Sequence, residues 1–217
     1  MSDTIIRNTV AFVKETLAGA EGGHDWYHIE RVWNTSRYIR EREGTGDLHT
    51  IELAALLHDI SDAKFNGGDD DLGSRMASEF LLKQNLDEGV VEHIKRIIKH
   101  VSYKGGFAQD QISTIEFQIV QDADRLDAIG AIGIARAFNY GGFKNRPIHL
   151  PEKSLQEYQD SKAYHKSDAP TINHFYEKLL KLKDLMNTST GMKMAEERHE
   201  YMLQFLDQFY REWNVNS

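Results

Sequence analysis

Residues 50 to 60 constrain the fold most strongly, because they predict a helix that is apolar on nearly all of its faces. Such a helix must be covered by neighbouring elements on every side. The segment ends in Leu-Leu-His-Asp-Ile, which places His58 and Asp59 at the carboxyl end of a buried helix. A helix-terminal His has an ordinary explanation, since it can satisfy free carbonyl groups and interact with the helix dipole. A buried carboxylate is costly, however, unless a cation or another partner compensates it.

The rest of the chain also favours helices over strands. It has only three prolines, and Ala, Leu, Glu, Lys and Gln dominate its periodic stretches. Asp25 is well placed to cap a helix that runs to about Glu43, and the apolar stretch Ile115 to Tyr140 predicts one long helix or two in succession. The other predicted helices span residues 5–17, 72–83, 87–100, 155–164, 171–186 and 193–213. We therefore expect an all-α protein, a single-domain helical bundle over residues 1–217.

Composition excludes several kinds of site and partner. The chain has no cysteine, so disulfides and thiolate metal sites are excluded and any metal must take His and carboxylate ligands. A formal net charge of -8 argues against binding to polymeric nucleic acid. The N-terminus lacks a secretion-signal pattern, and no apolar run approaches the length of a membrane span. We expect a cytoplasmic protein without a membrane partner, and its oligomeric state stays open.

Two other segments carry side chains that could complete a metal site with His58 and Asp59. His28 lies near the apolar face of the second predicted helix, and Asp124 is embedded in the apolar stretch that follows residue 115. A combination of imidazole and carboxylate suits Mn, Fe, Co, Ni or Zn better than Ca or Mg, whose sites prefer oxygen. The sequence therefore favours a transition metal if these segments meet.

The order His, then His-Asp, then Asp resembles the pattern of HD-domain metal-dependent phosphohydrolases, and the chain is similar to the compact YedJ-like bacterial group of that family. The matching text is His28 in His-Ile-Glu-Arg-Val, His58-Asp59 in Leu-Leu-His-Asp-Ile, and Asp124 in Ala-Asp-Arg-Leu-Asp. The resemblance implies an HD-type metal-binding core at about residues 25–130, with C-terminal helices at about 150–217 packed on it. It also implies that the four ligands converge on one divalent ion, with water completing the shell.

The resemblance further implies a cofactor and a reaction. The cofactor is one divalent transition metal ion, with Mn²⁺ favoured for activity, and additional Mg²⁺ could enter with the substrate. The ion would lower the pKa of bound water and neutralise charge on a phosphoryl group. The expected enzyme hydrolyses phosphoester or phosphoanhydride bonds of a small-molecule nucleotide by attack of metal-bound water. The favoured reaction is nucleoside triphosphate pyrophosphohydrolysis, which releases pyrophosphate. The alternatives are a nucleoside monophosphate phosphatase and a catalytically silent regulatory module that binds nucleotide or metal.

Asp62 and Lys64 follow the His-Asp doublet closely. By the same resemblance, Asp62 is the candidate catalytic general base, which orients or deprotonates the attacking water; the alternative is a helix cap or a solvated carboxylate. Lys64 is a candidate for binding substrate phosphate, and the alternative is an ordinary surface lysine.

His93, His100 and Arg125 are the remaining candidates for binding substrate. The two histidines are seven residues apart on one predicted helix, about 10 Å along its axis, so they cannot easily clamp one ion together. They would bind phosphate or a second metal, or simply border the core. Arg125 points about 100° away from Asp124 on an ideal helix and could bind substrate or pair with Asp122 or Asp127.

Overall fold

The computed structural model describes residues 2–19, 25–61, 71–101, 112–155 and 169–215. The regular structure in these ranges is helical throughout, which confirms the all-α prediction. The α-helices are α1 (Ser2–Thr16), α2 (Trp26–Glu43), α3 (Leu48–Leu57), α4 (Leu72–Lys83), α5 (Glu88–Val101), α6 (Ile115–Asp127), α7 (Gly130–Phe143), α8 (Thr171–Glu177) and α9 (Ser189–Trp213), and a 3₁₀ helix spans Leu179–Leu185. Among these helices, none has both the length and the apolar character needed to cross a membrane.

The chain forms two compact units, residues 1–124 and 125–217. Helix α3 is the centre of the first unit, where it contacts α1, α2 and α5. The side chains from Leu53 to Leu57 are fully buried, as expected for a helix that is apolar on all sides. The predicted extents of the metal-binding core and of the C-terminal helices remain predictions.

The limits of α3 differ from the predicted range 50–60. The helix begins earlier, because the Asp47 carboxylate caps it by accepting a hydrogen bond from the backbone N–H of Thr50 at 2.7 Å. It ends at Leu57, so His58 is the C-terminal capping residue and Asp59 lies in the turn that follows. His58 still has α-helical backbone angles, φ -63° and ψ -29°, so its position follows the helix, whereas Asp59 lies beyond the helix end.

The ends of α2 agree with the local signals in the sequence. The Asp25 carboxylate accepts a hydrogen bond from the backbone N–H of His28 at 3.0 Å, which confirms the predicted cap. Gly44 ends the helix in the left-handed region, at φ 68°, and its N–H donates to the carbonyl of Arg40. Glycine has no Cβ to oppose that conformation, so the chain can turn directly into α3.

The second unit contains two departures from the predicted helices. The single helix predicted for residues 171–186 is wrong: α8 ends at Glu177, Lys178 leaves helical geometry at φ -135°, and a 3₁₀ helix follows. Helix α9 begins before Lys193, because the hydroxyl of Thr188 accepts a hydrogen bond from the N–H of Gly191 at 3.0 Å. The predicted helix at 155–164 lies almost entirely outside the described residues.

Candidate metal centre

His28 occupies the first turn of α2 and points into the first unit. Its backbone N–H is held by the Asp25 cap, and the residue is only 2% exposed. The capping bond that starts the helix thus also fixes the backbone from which this imidazole projects. A local sequence signal therefore positions the first of the predicted ligands.

His58 follows the last residue of α3, and its ring is oriented by the main chain. Its Nδ1 lies 2.8 Å from the carbonyl oxygen of Ala55. Because a carbonyl only accepts hydrogen bonds, Nδ1 carries the donated proton, and the neutral ring then has its lone pair on Nε2. A backbone carbonyl that fixes the tautomer in this way is a common partner of a metal-binding histidine.

The two imidazoles and one carboxylate converge within the first unit. The Nε2 atoms of His28 and His58 are 3.2 Å apart, and Asp124 Oδ1 lies 3.6 Å from each of them. The ligand atoms of these three residues all lie within 4.8 Å of one another. Asp59 stands at the edge of the group, with Oδ2 3.8 Å from His28 Nε2. Both histidines are buried, whereas the Asp59 and Asp124 side chains are 16% and 23% exposed.

The spacing of the two imidazole nitrogens and the chemistry of the whole group fit a divalent transition ion. Two ligands that each lie about 2.1 Å from one ion are about 3.0 to 3.4 Å apart when they occupy adjacent coordination positions. The 3.2 Å between the Nε2 atoms of His28 and His58 falls in that range. Two imidazoles with carboxylate oxygen form a donor set suited to Mn, Fe, Co, Ni or Zn.

The electric field at the group favours a cation. Burial by itself lowers the pKa of His58, because it disfavours the charged imidazolium. The hydrogen bond and charge of Asp124, followed by the charge of Asp59 and the Ala55 carbonyl, outweigh burial and raise that pKa to about 9. The carboxylates therefore stabilise positive charge between the rings.

Two predicted residues, Asp62 and Lys64, lie outside the described residues. His93 is half-buried on α5, with Nε2 3.5 Å from Glu116 Oε2, and His100 is half-buried in the last turn of the same helix. Neither histidine belongs to the group of converging ligand atoms. Their proposed contacts with substrate remain predictions.

Arg125 and Asp127 have structural partners in the second unit. Arg125 Nη1 donates a hydrogen bond to the carbonyl of Leu185. The Asp127 carboxylate, 5% exposed, pairs with Arg136 Nη1 at 2.6 Å. Arg136, the only charged residue in α7, was not identified from the sequence. Nor was the Ala55 carbonyl, because every residue has a backbone carbonyl and the residue type does not show which one binds a side chain.

Comparisons with known proteins identify the family. Residues 25–129 match the HD domain family. A crystal structure of an HD-superfamily hydrolase from Bacillus thuringiensis is 42% identical, covers 100% of both chains and has a TM-score of 0.78. The chain belongs to the HD-domain family of hydrolases. The family membership predicted from the His, His-Asp and Asp pattern is confirmed.

Two further proteins resemble this HD hydrolase over nearly its whole length. A crystal structure from Lactobacillus plantarum is 35% identical over 100% of both chains, with a TM-score of 0.86. YpgQ of Bacillus subtilis is 39% identical over 207 residues, which cover 93% of this chain and 90% of YpgQ. A crystal structure of YpgQ in complex with ADP has a TM-score of 0.72 and 34% identity, covering 98% of this chain and 97% of that one.

Proposed function

We propose that this HD hydrolase holds one divalent transition metal ion through His28, His58, Asp59 and Asp124 and hydrolyses a phosphoanhydride bond of a nucleotide. The observation that carries the proposal is the convergence of two buried imidazole Nε2 atoms, 3.2 Å apart, on the carboxylate of Asp124. Mn²⁺ is the ion we expect to support activity. Such an ion supplies Lewis acidity, which lowers the pKa of water and neutralises phosphoryl charge.

The residues around the group have distinct tasks in this proposal. His28 and His58 offer ring nitrogens from a buried wall, and the Ala55 carbonyl keeps the His58 lone pair directed at the group. Asp124 and Asp59 provide negative charge and are the more exposed members, so they mark the side open to substrate. The general base proposed from the sequence is Asp62.

The proposed substrate is a nucleoside triphosphate, which the enzyme would cleave to a nucleoside monophosphate and pyrophosphate. Water would attack the α-phosphorus, and the bond between that phosphorus and the bridging oxygen to the β-phosphorus would break. The complex of YpgQ with ADP supports a nucleotide ligand, because ADP carries both a nucleoside and a diphosphate. The preference for triphosphates rests on the sequence resemblance to the compact group.

A substrate screen tests this reaction. Mn²⁺-loaded protein would be incubated with nucleoside tri-, di- and monophosphates, and phosphate would be resolved from pyrophosphate. We expect pyrophosphate from triphosphates and its loss in the Asp124→Ala variant. Phosphate from monophosphates alone would overturn the triphosphate proposal in favour of a phosphatase. Inactivity across the panel, with metal bound, would favour a regulatory module.

Metal affinity should depend on pH, because protons compete for His58. Its pKa of about 9 means that the ring is protonated at neutral pH in the metal-free protein and must lose that proton to bind an ion. The apparent binding constant for Mn²⁺ should therefore rise about tenfold per pH unit as the pH approaches 9 from below. Titration calorimetry in buffers of different ionisation enthalpy should detect about one proton released per ion near pH 7. Affinity independent of pH would contradict the assignment of His58 as a ligand.

A further inference from the structure

Helix α3 contains one charged residue, Glu52, in an otherwise nearly apolar sequence. A helix that is apolar on all sides has no polar face to indicate which side meets solvent, so hydrophobic patterning alone does not select its rotation. A polar contact in a buried helix can specify its position, as a single buried polar residue does in a coiled coil. Glu52 is therefore the residue of α3 that can specify how the helix is placed.

The Glu52 carboxylate is held by two side chains of α2. Trp33 Nε1–H donates a hydrogen bond to Glu52 Oε1 at 3.1 Å, and Arg37 Nε lies 3.4 Å from the same oxygen. The Arg37 guanidinium also stands 5.7 Å from the centre of the Trp33 ring. The Glu52 side chain is 14% exposed, whereas that of Arg37 is 53% exposed. These three residues, which we call the Glu52 clamp, fix one face of α3 against α2.

The clamp and the two imidazoles lie along the same helix pair. Only residues 44–47 connect α2 and α3, and such a short connection joins antiparallel neighbours. From Trp33 to His28 is five residues back along α2, and from Glu52 to His58 is six residues forward. The Trp33–Glu52 and His28–His58 contacts thus join the same two helices at two levels of one antiparallel pair. A change in the rotation or register of α3 at the first contact displaces His58 at the second.

We propose that Glu52 is a positioning residue for the metal centre, because its clamp sets the rotation and register of α3 that bring His58 opposite His28. This inference rests on the proposed function, since it concerns the same two ligands. Glu52 acts through the helix and does not itself join the group of ligand atoms.

The clamp should affect metal binding more than it affects stability. Glu52→Leu removes only one partner of the ion pair, but the remaining partner, Arg37, is 53% exposed and stays hydrated, so loss of the pair should cost little stability. Changes to residues that orient metal ligands, in contrast, typically weaken metal binding by about 10- to 100-fold. We therefore expect Glu52→Leu to keep the thermal midpoint near that of the wild type and to weaken Mn²⁺ binding by about 10- to 100-fold.

Three variants and one control test the proposal. Glu52→Leu removes the clamp, Glu52→Gln keeps an oxygen that can accept from Trp33, and Trp33→Phe keeps an aromatic ring without the N–H donor. Glu92→Gln is the control, because it removes an exposed ion pair, with Lys95 at 2.9 Å, on the surface of α5. The measurements are Mn²⁺ affinity, the visible spectrum of the Co²⁺-loaded protein, and nuclear Overhauser contacts between the His28 and His58 rings, whose centres are 5.1 Å apart, in metal-free protein.

We expect Glu52→Leu to lose the inter-ring contacts, alter the Co²⁺ spectrum and bind Mn²⁺ weakly. Glu52→Gln should restore most of the affinity, Trp33→Phe should fall between them, and Glu92→Gln should match the wild type. A folded Glu52→Leu variant with wild-type affinity, spectrum and ring contacts would overturn the proposal. Should Glu52→Leu not fold, unchanged values for Trp33→Phe would overturn it equally. A wild-type protein that binds no Mn²⁺ would refute the proposed function, while the ring contacts would still decide the role of Glu52.

Discussion

The Asp124→Asn variant should lose stoichiometric metal and catalytic turnover together. Asp124 Oδ1 lies 3.6 Å from both imidazole Nε2 atoms, so its charge serves the whole group. Asparagine keeps the shape of the side chain but is a weaker, uncharged ligand. Metal ions supply several kcal/mol of transition-state stabilisation in reactions of this kind, so kcat/KM should fall by about 10³-fold or more. Elemental analysis after dialysis and steady-state kinetics on the favoured triphosphate measure the two effects.

The same variant has a readout that needs no metal. Because the hydrogen bond and charge of Asp124 help to raise the pKa of His58 to about 9, Asp124→Asn should lower that pKa in metal-free protein. Asp207→Asn is a matched control. It makes the same chemical change at a residue that is 61% exposed and forms an ion pair with Arg211 on the surface of α9. Surface substitutions of this kind usually change the free energy of unfolding by no more than about 0.5 kcal/mol. Full metal content and activity in Asp124→Asn would refute the ligand assignment.

The types of the candidate ligands could be predicted from sequence, but their arrangement could not. His28, His58 and Asp124 stand out because each is a ligand-type side chain in a helix whose apolar pattern predicts burial. The orientation of the His58 ring depends on the backbone carbonyl of Ala55. Every residue type has such a carbonyl, so the sequence does not indicate this contact. The position of Asp59 at the edge of the group follows from the end of α3 at residue 57, which the apolar pattern does not mark.

Helix ends were predictable where a local capping signal decides them. Asp25 marks the start of α2 through its capping carboxylate, and Gly44 marks the end through its left-handed backbone conformation. The break after Glu177 has no such signal, because the apolar periodicity continues through the 3₁₀ helix that follows. The hydroxyl of Thr188 caps α9, but it was not identified from the sequence, where the helix was predicted from the apolar periodicity that starts at Lys193.

Gly133→Ala should be the most destabilising of the small changes available in α7. A Cβ at Gly133 would overlap the carbonyl carbon and oxygen of Ala128, which belong to the turn before the helix. That turn is closed by hydrogen bonds from the N–H groups of Ala128 and Ile129, at 3.1 and 3.2 Å, and Gly130, the first residue of α7, has φ +75°. A backbone segment held in this way cannot rotate aside as a side chain could. Overpacking against it should lower the free energy of unfolding by about 1 to 3 kcal/mol.

Gly142→Ala is the matched control, because it makes the same substitution in the same helix where a Cβ would meet no atom within 4 Å. Alanine stabilises a helix by about 0.5 to 1 kcal/mol relative to glycine, so this variant should gain stability. Helix propensity alone predicts the same gain in stability for Gly133→Ala, whereas the overlap with Ala128 predicts a loss. Urea unfolding of both variants separates these two expectations: equal gains would show that the turn at Ala128 yields at little cost, whereas a loss confined to Gly133→Ala would show that tertiary packing requires glycine at this position.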